Sequence, residues 1–157
     1  DIVVEFESEL EKVPYLGDER LIGQALGNLL KNAAEAIEGM PEEAEVRGQI
    51  RVVLSDTDKG VDITIEDNGP GFPEDARDRL LEPYVTTREK GTGLGLAIVN
   101  RIIVDHGGSI SLQNRLDGMR GARVRVWLPH NAMRVHDAFE VTPEEETDES
   151  PARAGLV

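Results

Sequence analysis

The stretch EPYVTTREKGTGLGLAIVNRIIVDHGG, residues 82–108, decides how this chain is interpreted. Apolar residues recur at helical spacing over 96–106, and Gly107-Gly108 is typical of a C-cap, so this part predicts a helix. Three alternating glycines, at positions 91, 93 and 95, stand before it. Their backbone N–H groups and the helix dipole suit a phosphate group. A flexible hinge is the alternative interpretation, and the GxGxG spacing matches neither a Rossmann turn nor a P-loop.

The segments around this stretch predict one sheet covered by helices. Residues 19–38 carry apolar side chains at spacings of four, three, four and four, which indicates an amphipathic helix with Asp18 as its N-cap. Strands are expected at 2–6, 50–54, 61–66, 109–113 and 124–128, the second and third forming a hairpin, with a short helix near 75–81. This order predicts an α/β (α+β) two-layer sandwich, with a mixed, mostly antiparallel sheet and helices on one face.

Composition excludes several classes of function. The 157 residues hold 17 basic and 31 acidic side chains, a net charge of −14, which argues against a nucleic-acid-binding surface. Aromatic residues make up only 4%, which disfavours base stacking. There is no cysteine, and therefore no disulfide or thiolate chemistry. No apolar run reaches the roughly 18 residues of a membrane span, and no signal-peptide pattern is present, so we expect a cytoplasmic location without membrane contact.

The acidic residues are concentrated at the C-terminal end. Residues 140–157 carry six acidic side chains and one arginine, or −5, which leaves −9 for residues 1–139. This segment has no apolar periodicity and two prolines, so we expect a disordered tail following a domain that spans 1–139. A solvated terminus is favoured over an acidic docking segment.

The polar border of the first predicted helix carries candidate ligands. Asn28 and Asn32 lie one turn apart, with Lys31 and Glu35 nearby. An amide oxygen can bind Mg²⁺, and a lysine can meet a phosphate. The alternative is a solvated helix face.

A second candidate follows the strand at 61–66. Asp67-Asn68-Gly69-Pro70-Gly71 places a carboxylate at the strand end, beside glycines that let another group approach the backbone. Such a carboxylate can accept a hydrogen bond from an exocyclic amine, as in adenine. An ordinary Asx turn is the alternative.

Together these segments resemble the ATP-binding domain of bacterial sensor histidine kinases. NLLKNA (28–33) is similar to the N box of that family, DNGPGF (67–72) to its first glycine box and GTGLGLAIV (91–99) to its second. EPYVTTREKG (82–91) resembles the aromatic box and ATP lid. The resemblance covers about residues 1–130, is greatest to kinases of the nitrogen-regulation NtrY type, and implies a Bergerat-type fold.

The resemblance implies a role for each matching residue. Asn32 would bind Mg²⁺, with Asn28 and Lys31 near the phosphates of ATP. Asp67 would bind the adenine amine, with Gly69 and Gly71 shaping that pocket. Arg88 would meet the γ-phosphate, so that Asn28, Asn32 and Arg88 form the catalytic set. Tyr84 would pack the base of the lid, and Thr86 and Thr87 would lie in the lid itself. The residues that would close over the triphosphate are Gly93, Leu94, Gly95 and Leu96.

Two departures bear on the reaction. ATP-hydrolysing relatives carry a glutamate at the position of Asn28, and an amide cannot take a proton from water. The resemblance therefore favours transfer of the γ-phosphoryl to a protein over hydrolysis. The last glycine box usually reads Gly-Thr, whereas Gly121-Ala122 stands here, so Ala122 is a doubtful site residue.

The implied phosphate acceptor is a histidine on a separate dimerisation domain. His106, His130 and His136 lie in no such motif, and His106 is expected to serve helix termination. The chain is thus expected to be the catalytic domain of a kinase whose other parts can include a membrane anchor, acting indirectly on a response regulator. A nucleotide-responsive binding module and an ATPase of the related fold are the alternatives.

Overall fold

The computed structural model describes residues 1–41, 47–85, 92–116 and 118–130, apart from the side chain of Asp78. Its elements are β1 (Ile2–Ser8), α1 (Glu19–Glu38), β2 (Gly48–Thr57), β3 (Gly60–Asp67), a single 3₁₀ turn (Arg77–Arg79), α2 (Gly95–Asp105), β4 (Ser109–Asn114) and β5 (Ala122–Pro129). Within the described ranges, neither α1 nor α2 is both long and apolar enough to cross a membrane.

The five strands form one sheet in the order β1-β2-β3-β5-β4. β1 pairs with β2 in parallel, and the other three pairs are antiparallel. The predicted mixed, mostly antiparallel sheet is therefore confirmed. β3 lies at its centre, so its C-terminal end at Asp67 is flanked by β2 and β5.

The core lies between the two helices and one face of the sheet. α1 contributes Leu29, Ala33 and Ile37. α2 contributes side chains that include Val99 and Ile103, both nearly inaccessible to solvent. The sheet contributes alternate residues of its central strands, namely Val61, Ile63, Ile65, Val124, Val126 and Leu128. The predicted two-layer arrangement is confirmed.

The other face of the sheet is polar and its charges are paired. Glu66 is only 4% exposed, and its carboxylate accepts a hydrogen bond from Arg123 Nε at 2.6 Å and lies 3.6 Å from Arg51. Arg125 makes two hydrogen bonds with Asp62, and this contact raises the pKa of the arginine. Alternation along the strands thus assigns apolar residues to the helices and ion pairs to the opposite face.

The C-terminal end of α2 contacts the N-terminal end of α1. His106 is the C-cap of α2. After it Gly107 has φ 72°, and Gly108 donates its N–H to Ile103 O at 2.9 Å, as in a Schellman motif. His106 Nδ1 lies 2.7 Å from Ile102 O, and Nε2 accepts the backbone N–H of Asp18 at 3.2 Å. The expected role of His106 in helix termination is confirmed, and the same ring also contacts the N-cap of α1.

The predicted boundaries of the strands and of one helix differ from the observed ones. All five strands extend beyond the expected runs, β2 and β5 by the most residues, because sheet pairing continues into the flanking positions. The helix expected near 75–81 is only one 3₁₀ turn, whose residues lie between Pro73 and Pro83. A segment that short cannot offset the cost of helix nucleation. The tail at 140–157 lies outside the described residues, and the boundary at 139 stays a prediction.

The N-cap of α1 makes a pH-dependent contribution to stability. Asp18 Oδ1 accepts the Leu21 N–H at 3.0 Å, and this hydrogen bond lowers the pKa of the carboxyl. A lowered folded-state pKa stabilises the protein above the unfolded-state pKa of about 3.9, and the effect is lost as the pH falls through the folded-state value. Asp18→Asn keeps a capping oxygen but loses the charge. The variant should therefore have a lower free energy of unfolding than wild type at pH 7, and the same free energy of unfolding at a pH low enough to protonate Asp18.

Urea denaturation of both proteins across this pH range measures the difference. Asp58→Asn, in the exposed β2–β3 turn, is the control and should have the wild-type free energy of unfolding at pH 7. A constant difference between wild type and Asp18→Asn at every pH would contradict the capping role.

Candidate functional site

A cleft of about 870 Å³ opens between α1, the start of α2 and the C-terminal end of β3. Its apolar floor includes Leu29, Ile65, Leu80 and Val124. Eight of the residues implicated by the sequence line it: Asn28, Lys31, Asn32, Asp67, Gly71, Gly93, Gly95 and Leu96. Three motifs that are far apart in the sequence therefore meet at one cavity.

Asp67 is the buried charged residue of this cleft. Its side chain is 5% exposed, and Oδ1 accepts backbone N–H bonds from Gly69 at 2.9 Å and from Ala122 at 3.3 Å. These contacts fix the carboxylate while it faces the cavity. A carboxylate held in this way is suited to accept a hydrogen bond from an amine donor on a ligand.

The backbone around Asp67 is packed too closely for side chains. Gly121 has φ 137°, and a Cβ there would overlap the Asp67 carbonyl oxygen. Gly69 is buried, and a Cβ on it would lie 2.9 Å from Asp67 Oδ1 and 3.3 Å from Ala36 Cβ. Gly69 thus lies beside Asp67 and does not line the cleft, so it shapes the pocket through the carboxylate.

Ala122 lies in the cleft wall, although the sequence made it a doubtful site residue. It is 5% exposed, lines the cavity and donates its backbone N–H to Asp67. The missing hydroxyl does not affect this contact, because the contact is made by the main chain.

Two asparagines that the sequence analysis did not select anchor the loop after β3. Asn68 accepts the Gln49 N–H through Oδ1 at 2.8 Å and donates Nδ2 to Arg47 O at 2.8 Å. Asn114, at the end of β4, accepts the Phe72 N–H at 2.7 Å and donates to Phe72 O at 3.0 Å. Asn68 lies within the DNGPGF motif, whereas no sequence pattern pointed to Asn114, whose partner Phe72 is 42 positions away.

The Asn32 amide of α1 lies against the start of α2. Asn28 and Asn32 both line the cleft, and a Cβ on Gly95 would lie within ordinary contact of the Asn32 amide, 3.7–3.8 Å away. Leu94 occupies the N-cap position of α2 and offers no capping oxygen. Lys31 Nζ lies 3.7 Å from Glu35 Oε1, and the lysine side chain is 72% exposed. An amide side chain, a cation and a helix N-terminus therefore share one end of the cleft.

Tyr84 is exposed at the end of the described part of the lid segment. Its ring is 79% exposed and does not line the cleft, and its packing at the base of the lid stays a prediction, because residues 86–91 lie outside the described residues. Its backbone has φ 66° and donates an N–H to Gly93 O at 3.0 Å, and a Cβ on Gly93 would lie 2.6 Å from the Tyr84 carbonyl carbon. The backbone of Tyr84, not its ring, thus holds the glycine stretch, which is a tertiary contact that sequence spacing does not encode.

Four predicted site residues remain. Leu94 does not line the cleft, while Thr86, Thr87 and Arg88 lie outside the described residues. Over the described ranges there is no cluster of three or more His, Cys, Asp or Glu side chains suited to a metal. The donor set fits an Mg²⁺ ion that takes one amide oxygen from Asn32 and its other ligands from phosphate and water, as Mg²⁺ commonly does.

Comparison with known proteins agrees with this geometry. Residues 17–132 match the family described as histidine kinase-, DNA gyrase B- and HSP90-like ATPases. Nitrogen regulation protein NtrY of Azorhizobium caulinodans is 53% identical over 126 residues, which are 80% of this chain and 16% of that protein. The chain therefore spans only a small part of this curated relative.

Solved structures show the same relationship. The catalytic domain of histidine kinase ThkA is 35% identical, with a TM-score of 0.69, over 82% of this chain and 80% of that one. ThkA in complex with the response regulator TrrA is 29% identical, with a TM-score of 0.65, over 83% of this chain and 35% of that one. The resemblance to sensor histidine kinases of the NtrY type is confirmed. The chain belongs to the histidine kinase-, DNA gyrase B- and HSP90-like ATPase family and is a catalytic and ATP-binding domain of the sensor histidine kinase type.

Proposed function

We propose that this domain binds Mg-ATP and transfers the γ-phosphoryl group to a histidine on a separate dimerisation domain. The observation that carries the proposal is the arrangement of one cleft, in which the fixed carboxylate of Asp67 and the amide of Asn32 both face the same cavity. A nucleotide is a ligand that needs an amine acceptor for its base and a metal-binding group for its phosphates.

The base would bind at the Asp67 end. The carboxylate accepts the exocyclic amine of adenine, while Gly71, Phe72 and Ala122 form the adjoining wall of the cleft. Guanine carries a carbonyl oxygen where adenine carries that amine, and this oxygen would face a carboxylate that cannot donate a hydrogen bond. The pocket should therefore prefer adenine.

The triphosphate would bind at the start of α2. Gly93 and Gly95 line the cleft there, and the helix N-terminus attracts negative charge. Lys31 adds a cation, and Asn32 would hold Mg²⁺, which supplies neutralisation of the developing phosphate charge when bound. Arg88 remains our candidate for the γ-phosphate, with Thr86 and Thr87 in the lid.

Transfer is favoured over hydrolysis by the residue that faces the phosphate end. Asn28 lines the cleft at the position where ATP-hydrolysing relatives have glutamate, and an amide cannot act as a general base toward water. Catalysis would then consist of positioning and charge stabilisation, with the acceptor histidine supplying the nucleophile.

The partners follow from this reaction. We propose the dimerisation and phosphoacceptor domain of the same kinase as the direct partner and a response regulator as the indirect one, in the cytoplasm and in nitrogen regulation. Support comes from the similarity to NtrY and to ThkA, which was solved with the response regulator TrrA.

Replacement of Asp67 should remove the preference for adenine. We expect Asp67→Asn to weaken ATP binding about 10- to 100-fold, because a hydrogen bond to a charged group is worth roughly 1.5–3 kcal/mol. Isothermal calorimetry with ATP and GTP measures both affinities. Asp62→Asn, on the same strand but on the opposite face of the sheet, should bind ATP like wild type. Equal binding of GTP and ATP by wild type would refute the role of Asp67.

Replacement of Asn32 should abolish phosphoryl transfer. We expect Asn32→Ala to lower transfer about 100-fold or more, since a metal contributes several kcal/mol of charge stabilisation. The measurement mixes the chain with the matching phosphoacceptor domain and γ-labelled ATP, and follows acid-labile label on the histidine.

Gln24→Ala, on the exposed side of α1, is the control and should transfer normally. Unchanged transfer by Asn32→Ala would exclude the metal role. Tight ATP binding by wild type without any transfer would favour a nucleotide-responsive binding module, and steady phosphate release by the chain alone would favour an ATPase.

A further inference from the structure

We infer that Asn114 is a positioning residue that shapes the adenine end of the cleft from behind its wall. The inference rests on the proposed function, because it concerns how the same cleft holds ATP. Asn114 is not among the residues that line the cavity, whereas Gly71, Phe72 and Ala122, its neighbours, are.

The contact consists of two hydrogen bonds to one residue. Asn114 Oδ1 accepts the Phe72 N–H at 2.7 Å, and Nδ2 donates to the Phe72 carbonyl at 3.0 Å. Phe72 follows Gly71 in the glycine-rich loop, and 42 residues separate it from Asn114 in the sequence. The side chain thus pairs with Phe72 as a neighbouring strand would, although this loop has no strand partner at that point.

The same asparagine fixes the position of the loop relative to β5. Asn114 is the register partner of Ala122, which donates to the Asp67 carboxylate. A Cβ on Gly71 would lie 2.7 Å from Asn114 Oδ1 and 3.2 Å from Gly121 O. The loop is therefore packed against the end of β4 and against the residue that precedes β5. Asn114 therefore connects the two walls of the adenine pocket, one from the loop and the other from β5.

On this side the loop is held by the two Asn114 hydrogen bonds and by the packing of Phe72 against the core. Gly71 has φ 80°, a conformation that glycine adopts freely and leaves as freely. Asp67 is held independently, by the N–H groups of Gly69 and Ala122. Loss of Asn114 should therefore let the Gly71–Phe72 wall move while the carboxylate and the phosphate end keep their places.

The chemistry requires an amide of this length. Phe72 presents one donor and one acceptor, and an amide offers one of each in a fixed geometry. Aspartate keeps the acceptor for the N–H but has no donor for the carbonyl, and alanine offers neither. The three side chains form a graded series at a position outside the cavity.

Calorimetric titration of the chain with Mg-ATP tests the inference. We expect Asn114→Ala to raise Kd about tenfold and Asn114→Asp to raise it severalfold, each with one ATP per chain. A merely structural role would leave Kd unchanged while nearly all molecules are folded at the titration temperature, which circular dichroism checks, because unfolding raises the apparent Kd only by the reciprocal of the folded fraction.

Thr57→Ala is the matched control. Thr57 Oγ1 donates to Gly60 O at 2.8 Å and accepts the Gly60 N–H at 3.2 Å, the same two-bond contact at the opposite end of β3. This variant should lose thermal stability but keep the wild-type Kd.

The outcomes separate the two proposals. If wild type binds ATP and the Kd of Asn114→Ala is within twofold of the wild-type Kd, the inference is overturned and the proposed function stands. No binding of ATP by wild type overturns the proposed function, and the inference with it. If Asn114→Ala does not fold, the Kd of Asn114→Asp decides, and a wild-type value there also overturns the role.

Discussion

The site depends on the anchoring of one buried carboxylate. Asp67 ends the central strand, and its Oδ1 accepts N–H groups from Gly69, in the following loop, and from Ala122, at the start of β5. A buried charge without such partners would be strongly destabilising, so the loop and β5 must both lie where they do. Gly121 makes this approach feasible, because any side chain there would overlap the Asp67 backbone. The constraint links three segments of chain at a single atom.

The alternation of β3 explains how an acidic protein can offer a site for a triphosphate. Ile63, Ile65 and Asp67 face the helices, whereas Asp62 and Glu66 face the opposite side and pair with arginines of β5. These two carboxylates are thus held away from the cleft in ion pairs. Within the cleft, Gly93, Gly95, the N-terminus of α2 and Lys31 lie at the end where we propose that the phosphates bind, and the net charge of −14 does not reveal this local arrangement.

Local chemistry explains which elements the sequence predicted well. The bounds of α1 and its Asp18 cap followed from apolar periodicity and one capping residue, and both are observed. The end of α2 followed from Gly107-Gly108. The 3₁₀ turn at Arg77–Arg79 was overestimated, because its polar and apolar residues suit a helix but the space between two prolines does not. The hydrogen bond from the Tyr84 backbone to Gly93 was not predicted, because it joins two main-chain groups that no side-chain pattern marks.

The sequence by itself determined the fold class and eight of the residues that line the cleft. Periodicity, caps and glycine motifs are properties of short segments, and the matching residues Asn32, Asp67 and Gly95 do line one cavity. The tertiary structure decided how the walls are held. Asn114 and Ala122 act on the cleft through contacts with residues 42 and 55 positions away, and hydrogen bonds of that kind depend on strand register. Register itself follows from turn geometry and from which face of each strand is buried, but a contact between β4 and the loop after β3 forms only once the whole sheet has assembled.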